Sequence, residues 1–393
     1  MVVKLKATLA RYPLAGFFVL VGAACVVCVG FLAVASSMVA AEWANRFSMV
    51  SAMVAGLAAL ACCWAISGPR SRPPRRFTQL FIVIAVVLVT MTGLCVEVWL
   101  QWRMERSLFA AAGRSPNVYV MSMPSLGSWI HRELGTSVFW LRALVAGLVL
   151  AGVASPFAAV RRLSRELIAW RGPRVWLLAA VALLVPGACA AAATVGGRLA
   201  PLAVDGSFPL LRYSLSYSIA AFVTMLLVSV PLVFAWYGFV NARLAGRVSP
   251  LVAALVIGLA IALPYQLAVR VGFRSWLPVG GWSVLGIASE IAMAVPAVWL
   301  VRKAHGSLIP AAVLLAAVST STYAVTLTSS NSGILGRTRE LYPGCIVAAA
   351  VLFALAGRMW RRTEAVASPP EPDESGPLCG SYDVVVRDVT MPS

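Results

Sequence analysis

Charge is what this chain has least of. Of its 393 residues only 12% are Asp, Glu, Lys or Arg, where a soluble globular domain carries about 25%. Acids are scarcer than cations, 14 against 32, and there are two histidines, His131 and His305. No two glutamates are adjacent anywhere. Only Cys25 and Cys28 of the eight cysteines are spaced as CxxC, and that pair is embedded in an apolar run; all but Cys379 lie in or at the edge of such runs, where cysteine acts as a small hydrophobe. These gaps exclude much. A hydrolytic zinc site needs about three protein ligands and an open position for water, and no imidazole lies inside an apolar run. Nucleic-acid binding needs a clustered basic face on a soluble module, and the cations are instead scattered between apolar runs. The long tracts lack the period-2 alternation of a membrane barrel.

What the chain does have is apolar length. Hydrophobic residues make up 61% of it and the mean hydropathy is +0.88. Runs of about 20 residues recur, the length that crosses the hydrocarbon core as a helix. The expectation is an all-α polytopic transmembrane bundle of about ten spans, near 13–36, 48–67, 78–100, 138–160, 175–195, 216–240, 250–270, 281–301, 308–328 and 342–358. Cations orient the spans. Lys4, Lys6 and Arg11, then Arg70 to Arg76, Arg161 to Arg174, Arg243 and Arg247, Arg302 and Lys303, and Arg358 to Arg362 all fall on one side. That side is the cytoplasm, which places both termini there in a multi-pass protein of the cell membrane. The net charge of +18 is then mainly a topology signal, with the lipid bilayer as the first partner and no nucleic acid. Ala33-Val34-Ala35 resembles a signal-peptide cleavage site, but the apolar core before it exceeds an ordinary h-region, so the first span is expected to be retained.

Three zones differ in character. Residues 1–136 hold three spans and an outer segment, 101–136, with aromatics and charges suited to a membrane surface. Residues 137–362 form a block of seven spans. Residues 363–393 are a tail with six acids and one arginine, rich in Pro, Glu, Ser and Gly at first and expected to be disordered.

Within the spans, Glu290 in GIASEIAMAVP stands out, because an ionisable group in hydrocarbon must face a partner or a wet cavity. Arg270 and Asn241 complete a candidate intramembrane polar site, with Arg270 a weak partner because it sits at the outer end of its span. The alternative is a glutamate that merely pins two helices. Ser307 is suited to cap the helix that begins before Pro310, and the hydroxyls of 319–322 are suited to bonding helix carbonyls or neighbouring helices.

Three stretches carry a resemblance. VRRLSRELIAWRGPRVWLLAAVALLVP at 160–186 is an arginine-rich entry into a span. PLVFAWYGFVNARLAGRVSPLVAALVIGLAIALPY at 231–265 has Trp236, Gly238, Arg243, Leu244, Ser249, Pro250, Gly258, Ala262 and Leu263 in pattern. WLVRKAHGSLIPAAVLLAAVS at 299–319 has Trp299, Leu300, Gly306, Ser307, Leu308, Pro310 and Ala311. With these, the block from about 155 to 360 resembles the CPBP family, the CaaX proteases and bacteriocin-processing enzymes also called Abi, which are intramembrane metalloendopeptidases. The resemblance implies a CPBP-like core in the C-terminal half. It carries over no catalytic residue. The family's paired glutamates fall on Leu232 and Val233, its motif arginine on Tyr237, its two histidines on Tyr265 and Leu315, and its asparagine on Ser319. Leu, Val and Tyr do not hold zinc, so no metal or other cofactor is expected.

The leading functional expectation is a catalytically inactive CPBP-like protein that binds a membrane peptide, lipidated tail or membrane protein. Tyr237 and Tyr265 would then plug the old pocket, by packing or by hydrogen bonding to each other or to Asn241. Two alternatives stay open: a divergent intramembrane protease using Glu290, with zinc or another divalent metal, and a transporter or channel component with Glu290 as a proton or cation site.

Overall fold

The computed structural model describes residues 2–34, 37–67, 75–111, 137–170, 173–196, 208–272, 284–328 and 332–361. Among them every named element is helical, and the one β-type pairing is an isolated bridge between Ala245 and Val248. The helices are α1 (Val2–Arg11), α2 (Pro13–Val34), α3 (Ser37–Ile66), α4 (Arg76–Ala111), α5 (Ser137–Ala151), α6 (Ala158–Glu166), α7 (Pro173–Gly196) and α8 (Phe208–Leu232). After a π-helix over Val233–Val240 come α9 (Asn241–Leu244), α10 (Pro250–Gly272), α11 (Val284–Ala292), α12 (Ala294–Lys303), α13 (Ile309–Thr328) and α14 (Ser332–Ala356). Most of the outer segment with His131, the loop with Asp205, and the tail 363–393 lie outside the described residues, as do the side chains of Glu97 and Arg270.

Four of these helices are long and apolar enough to cross a membrane: Pro13–Val34, Arg76–Val96, Ile219–Leu244 and Pro250–Ala268. Trp140–Ala154 with Ala158–Glu166 makes a fifth if the bent pair is one span, and Val50–Ile66, Arg174–Cys189, Ile309–Ser321 and Leu341–Ala356 are apolar but shorter. Large apolar side chains cover the outside: Val26 and Val27 of α2, Phe77 and Phe81 of α4, Trp176 and Leu184 of α7, and Leu352 and Leu355 of α14 are all exposed. An apolar exterior of this extent would drive association in water and suits hydrocarbon. The molecule is a helical integral membrane protein.

Proline decides where three expected spans depart from straight helices. The segment expected as 138–160 bends: α5 ends in a 3₁₀ turn at Gly152–Ala154, and α6 leaves it at 112°. Ser155, which precedes Pro156, is extended at ψ 143°, as a pre-proline residue prefers. Ser164 Oγ donates to Val149 O at 2.7 Å and Arg161 Nη1 to Ser155 O at 2.9 Å, which fixes the bend. In α8, Pro231 has no N–H to give the Leu227 carbonyl, and the chain continues as the π-helix. Arg142 of α5 donates from Nε to Val228 O at 2.8 Å just before it. The span expected at 281–301 is two helices, parted at Met293, three residues before Pro296. By contrast α10 begins as its sequence suggests, with Ser249 Oγ accepting from Val252 N–H at 3.3 Å and Pro250 as first helical residue.

One main core runs through the N-terminal and C-terminal helices alike. It contains Phe17 and Val21 of α2, Ala55, Ala59 and Cys62 of α3, Val145 and Val149 of α5, the π-helix, and Ile257, Leu300 and Leu314 of α10, α12 and α13. α3 packs against α5, α8 and α10, and α4 packs against α5 and α8.

Candidate functional site

The positions to which the resemblance assigns catalytic residues start on the α8–π–α9 helix. Val233 and Tyr237 are buried on the π-helix, Leu232 packs at its edge, and Asn241 follows at the first residue of α9, 5% exposed. All eight π-helical residues are buried. A π-helix inserts an extra residue per turn, weakens the ladder, and in short form is often found at functional sites. Here it turns aromatic and small residues to neighbours on both sides. Phe17 of α2 meets Trp236 edge-on with centroids 5.1 Å apart and lies 5.5 Å from Phe239. On the other side, a Cβ at Gly238 would stand 2.9 Å from Leu163 of α6 and 2.9 Å from Leu308.

The remaining assigned positions divide. Leu315 of α13 packs on the same core, and Ser319, one turn on, is half-buried. Tyr265 of α10 belongs instead to a small separate cluster with Leu32 of α2 and Ala268. Tyr237 and Tyr265 thus pack in different apolar clusters. Asn241 Oδ1 is buried without a hydrogen-bond partner. Among the described residues no three His, Cys, Asp or Glu side chains come together.

Glu290 has a partner that sequence reading did not single out. The side chain of Gln266, on α10, hydrogen-bonds the Glu290 carboxylate, on α11. Gln266 is only 6% exposed. The signal for it was a lone amide in an apolar run, two residues after Pro264. Arg142, which reaches the Val228 carbonyl three residues before Pro231, was missed in the same way. Beside the Glu290 region, Ser321 Oγ of α13 lies 2.5 Å from the Tyr342 hydroxyl of α14 and 3.0 Å from Val318 O, to which it donates. Tyr342 packs with Met293, Cys189 and Val318.

The cationic corner between α12 and α13 is a helix stop. Gly306 N–H donates to Val301 O at 2.9 Å and His305 N–H to Arg302 O at 3.2 Å, with φ of 52° at His305 and 88° at Gly306. This is the paired-bond C-cap that calls for a left-handed residue, ordinarily glycine. Ser307 was expected to cap α13; its hydroxyl instead donates to Ala169 O at 2.8 Å, and Leu308 N–H donates to Glu166 O at 2.9 Å. The reason is competition: the loop after α6 offers carbonyls that need a donor. The end of α14 repeats the device. Met359 N–H bonds Ala354 O and Arg358 N–H bonds Leu355 O, both at 3.1 Å, and Leu251 N–H reaches Met359 O at 3.0 Å. These bonds gather the ends of α6, α10, α12 and α14 on one side of the molecule, where Arg162, Arg165, Arg247, Lys303 and Arg361 are exposed.

Set against family models, curated proteins and solved structures, the chain gives no match.

Proposed function

We propose that the chain is a multi-pass membrane protein related to the CPBP intramembrane endopeptidases that binds a membrane-embedded peptide, lipidated tail or partner protein without cutting it. The observation that carries the proposal is the fully buried π-helix at Val233–Val240. It falls in the stretch where the resemblance puts the family's catalytic glutamates and arginine, and apolar and aromatic side chains fill it. An unusual backbone kept where the polar ligands are absent suits a scaffold adapted to hold something apolar. Removing buried charge from such a site is favourable in lipid surroundings.

About ten crossings go with this reading. The four long helices and the bent α5–α6 pair would account for five of them, and the four shorter apolar helices and the broken α11–α12 pair for the rest. The exposed cations gathered at the ends of α6, α10, α12 and α14 support a cytoplasmic assignment for that side, and with it cytoplasmic termini in the cell membrane.

The test uses purified protein in lipid nanodiscs with prenylated and transmembrane peptides carrying a photoreactive group. The expected result is crosslinking to the π-helix or to α2, with every peptide intact after prolonged incubation. Peptide cleavage that a chelator abolishes would sink the non-catalytic reading, and peptides that neither crosslink nor are cut would sink the binding one.

A further inference from the structure

We propose that Glu290 and Gln266 form a proton-binding site, a carboxylic acid–carboxamide pair that latches α11 to α10. The proposal stands on hydrogen-bond accounting and does not rest on the CPBP-like reading. Towards a carboxylate an amide is a donor only through its nitrogen, so the bond from Gln266 to Glu290 uses the amide NH₂. That leaves Gln266 Oε1 and Glu290 Oε2, and both are buried with no hydrogen-bond partner. A buried acceptor without a donor costs about 1–3 kcal/mol, and more when charged. Two such acceptors on one bonded pair are a double penalty with a single remedy.

That remedy is one proton. Placed on Glu290 Oε2, it turns an acceptor into an O–H donor, and the acceptor it needs is Gln266 Oε1. Oε1 and the amide nitrogen share one carbon, as do the two carboxyl oxygens. In the proposed pair the second atoms then meet, and the acid and amide close a ring of two hydrogen bonds. Water supplies the proton and takes it back. With the proton gone, Glu290 Oε2 and Gln266 Oε1 are two acceptors facing each other, and α11 is held to α10 by one bond instead of two.

Among the described residues no donor reaches Glu290 Oε2 or Gln266 Oε1. Against α11 pack α10, α12 and α14. Their titratable or charged described side chains are Tyr265 on α10, Arg302 and Lys303 at the far end of α12, and Tyr342 and Cys345 on α14. Arg302 and Lys303 lie at the end of α12 remote from α11. Arg270 on α10 and Arg337, Arg339 and Glu340 on α14 have side chains outside the described residues. The pair also sits at a fixed crossing. Gly258 of α10 faces the backbone of Ile291, the residue after Glu290.

The experiment follows the proton on the full chain in nanodiscs. Dicyclohexylcarbodiimide, an apolar reagent that modifies protonated carboxyls, is applied over a pH series, and modification of Glu290 is read by mass spectrometry. The expected outcome is selective modification that falls about tenfold per pH unit on the alkaline side of a single titration, in step with a drop in the thermal unfolding midpoint. Glu290→Gln keeps a two-bond ring with an amide in place of the acid, so it holds the midpoint and flattens the pH dependence. Gln266→Leu lowers the midpoint and abolishes the step. The proposal falls if Glu290 is unmodified at every pH in the folded protein, or if Glu290→Gln reproduces the wild-type pH profile or does not fold. It falls equally if sodium at constant pH shields Glu290 from the reagent, since the site would then hold a metal cation.

Discussion

Replacing Gly258 with alanine should force α11 away from α10. A Cβ built at Gly258 would lie 2.9 Å from Ile291 Cα and 3.0 Å from its carbonyl carbon, and closer still to the carbonyl oxygen. Ordinary carbon–carbon contact is about 3.5–4.0 Å, so the helices must part by roughly 1 Å. The obstructing atoms are backbone and have no rotamer through which to escape. Overpacking of this kind costs about 1–3 kcal/mol. It is offset in part by the higher helix propensity of alanine, worth up to about 1 kcal/mol. Gly30, in the interior of α2, is the control, because a Cβ there meets nothing within 4 Å. The assay is thermal unfolding in one detergent, with Gly30→Ala expected to match or exceed wild type and Gly258→Ala to fall below it. In Gly258→Ala, the carbodiimide reaction at Glu290 should also lose its sharp pH dependence as the Gln266 bond lengthens. If both glycine variants unfold with wild type, the close apposition of α10 and α11 is wrong, and the seat of the Glu290–Gln266 pair with it.

Three further outcomes are expected. Gly152→Ala should destabilise the α5–α6 bend, because its Cβ would stand 3.0 Å from Val160 Cγ1 and 3.1 Å from Ser164 Cβ. Ser164→Ala loses the bond to Val149 O, about 1 kcal/mol, yet should cost less in the Gly152→Ala background than alone, a coupling that a double-mutant cycle of unfolding midpoints reads directly. His305→Gly and Arg358→Gly should each stabilise by about 1 kcal/mol, since φ values of 52° and 46° strain any residue with a Cβ; unchanged midpoints would mean these corners are not left-handed caps. Phe17→Ala should cost about 3–5 kcal/mol, because Phe17 is 0% exposed, whereas Phe77→Ala, 91% exposed, should cost little.

Much of this architecture is legible in the sequence because a membrane simplifies the code. Lipid allows few spanning structures, so an apolar run near 20 residues reads as a helix, and the helix at Pro250–Gly272 starts where Ser249-Pro250 indicates. What was not legible is where a run stops being one straight helix. An apolar stretch such as 138–160 looks the same whether it is straight or bends at Pro156, and only the tertiary bonds of Ser164 and Arg161 decide. Ser307 shows the opposite limit: a good local cap was outbid by a carbonyl of Ala169, far away in sequence. The candidate site was half legible. Glu290 announces itself by its charge, but Gln266 carries none and becomes visible only when α10 and α11 are set side by side.

The three N-terminal spans read in sequence as an addition to the C-terminal block, and their packing argues for a closer part. Phe17 lies at an aromatic junction with Trp236 and Phe239 of the π-helix, and Phe18 lies 5.9 Å from Trp236. A π-helix is less stable than the α-helix it interrupts, so it persists only where its surroundings favour it. Here the surroundings on one side belong to α3 and to Phe17 and Phe18 of α2, and on the other to Leu163 and Leu308, which the α6 bend and the α12–α13 corner hold in place. Any ligand that reaches the π-helix from the α2 side must therefore part the Phe17–Trp236 contact first. If the chain binds a membrane peptide at the π-helix as proposed, that binding and the docking of Phe17 on Trp236 would compete.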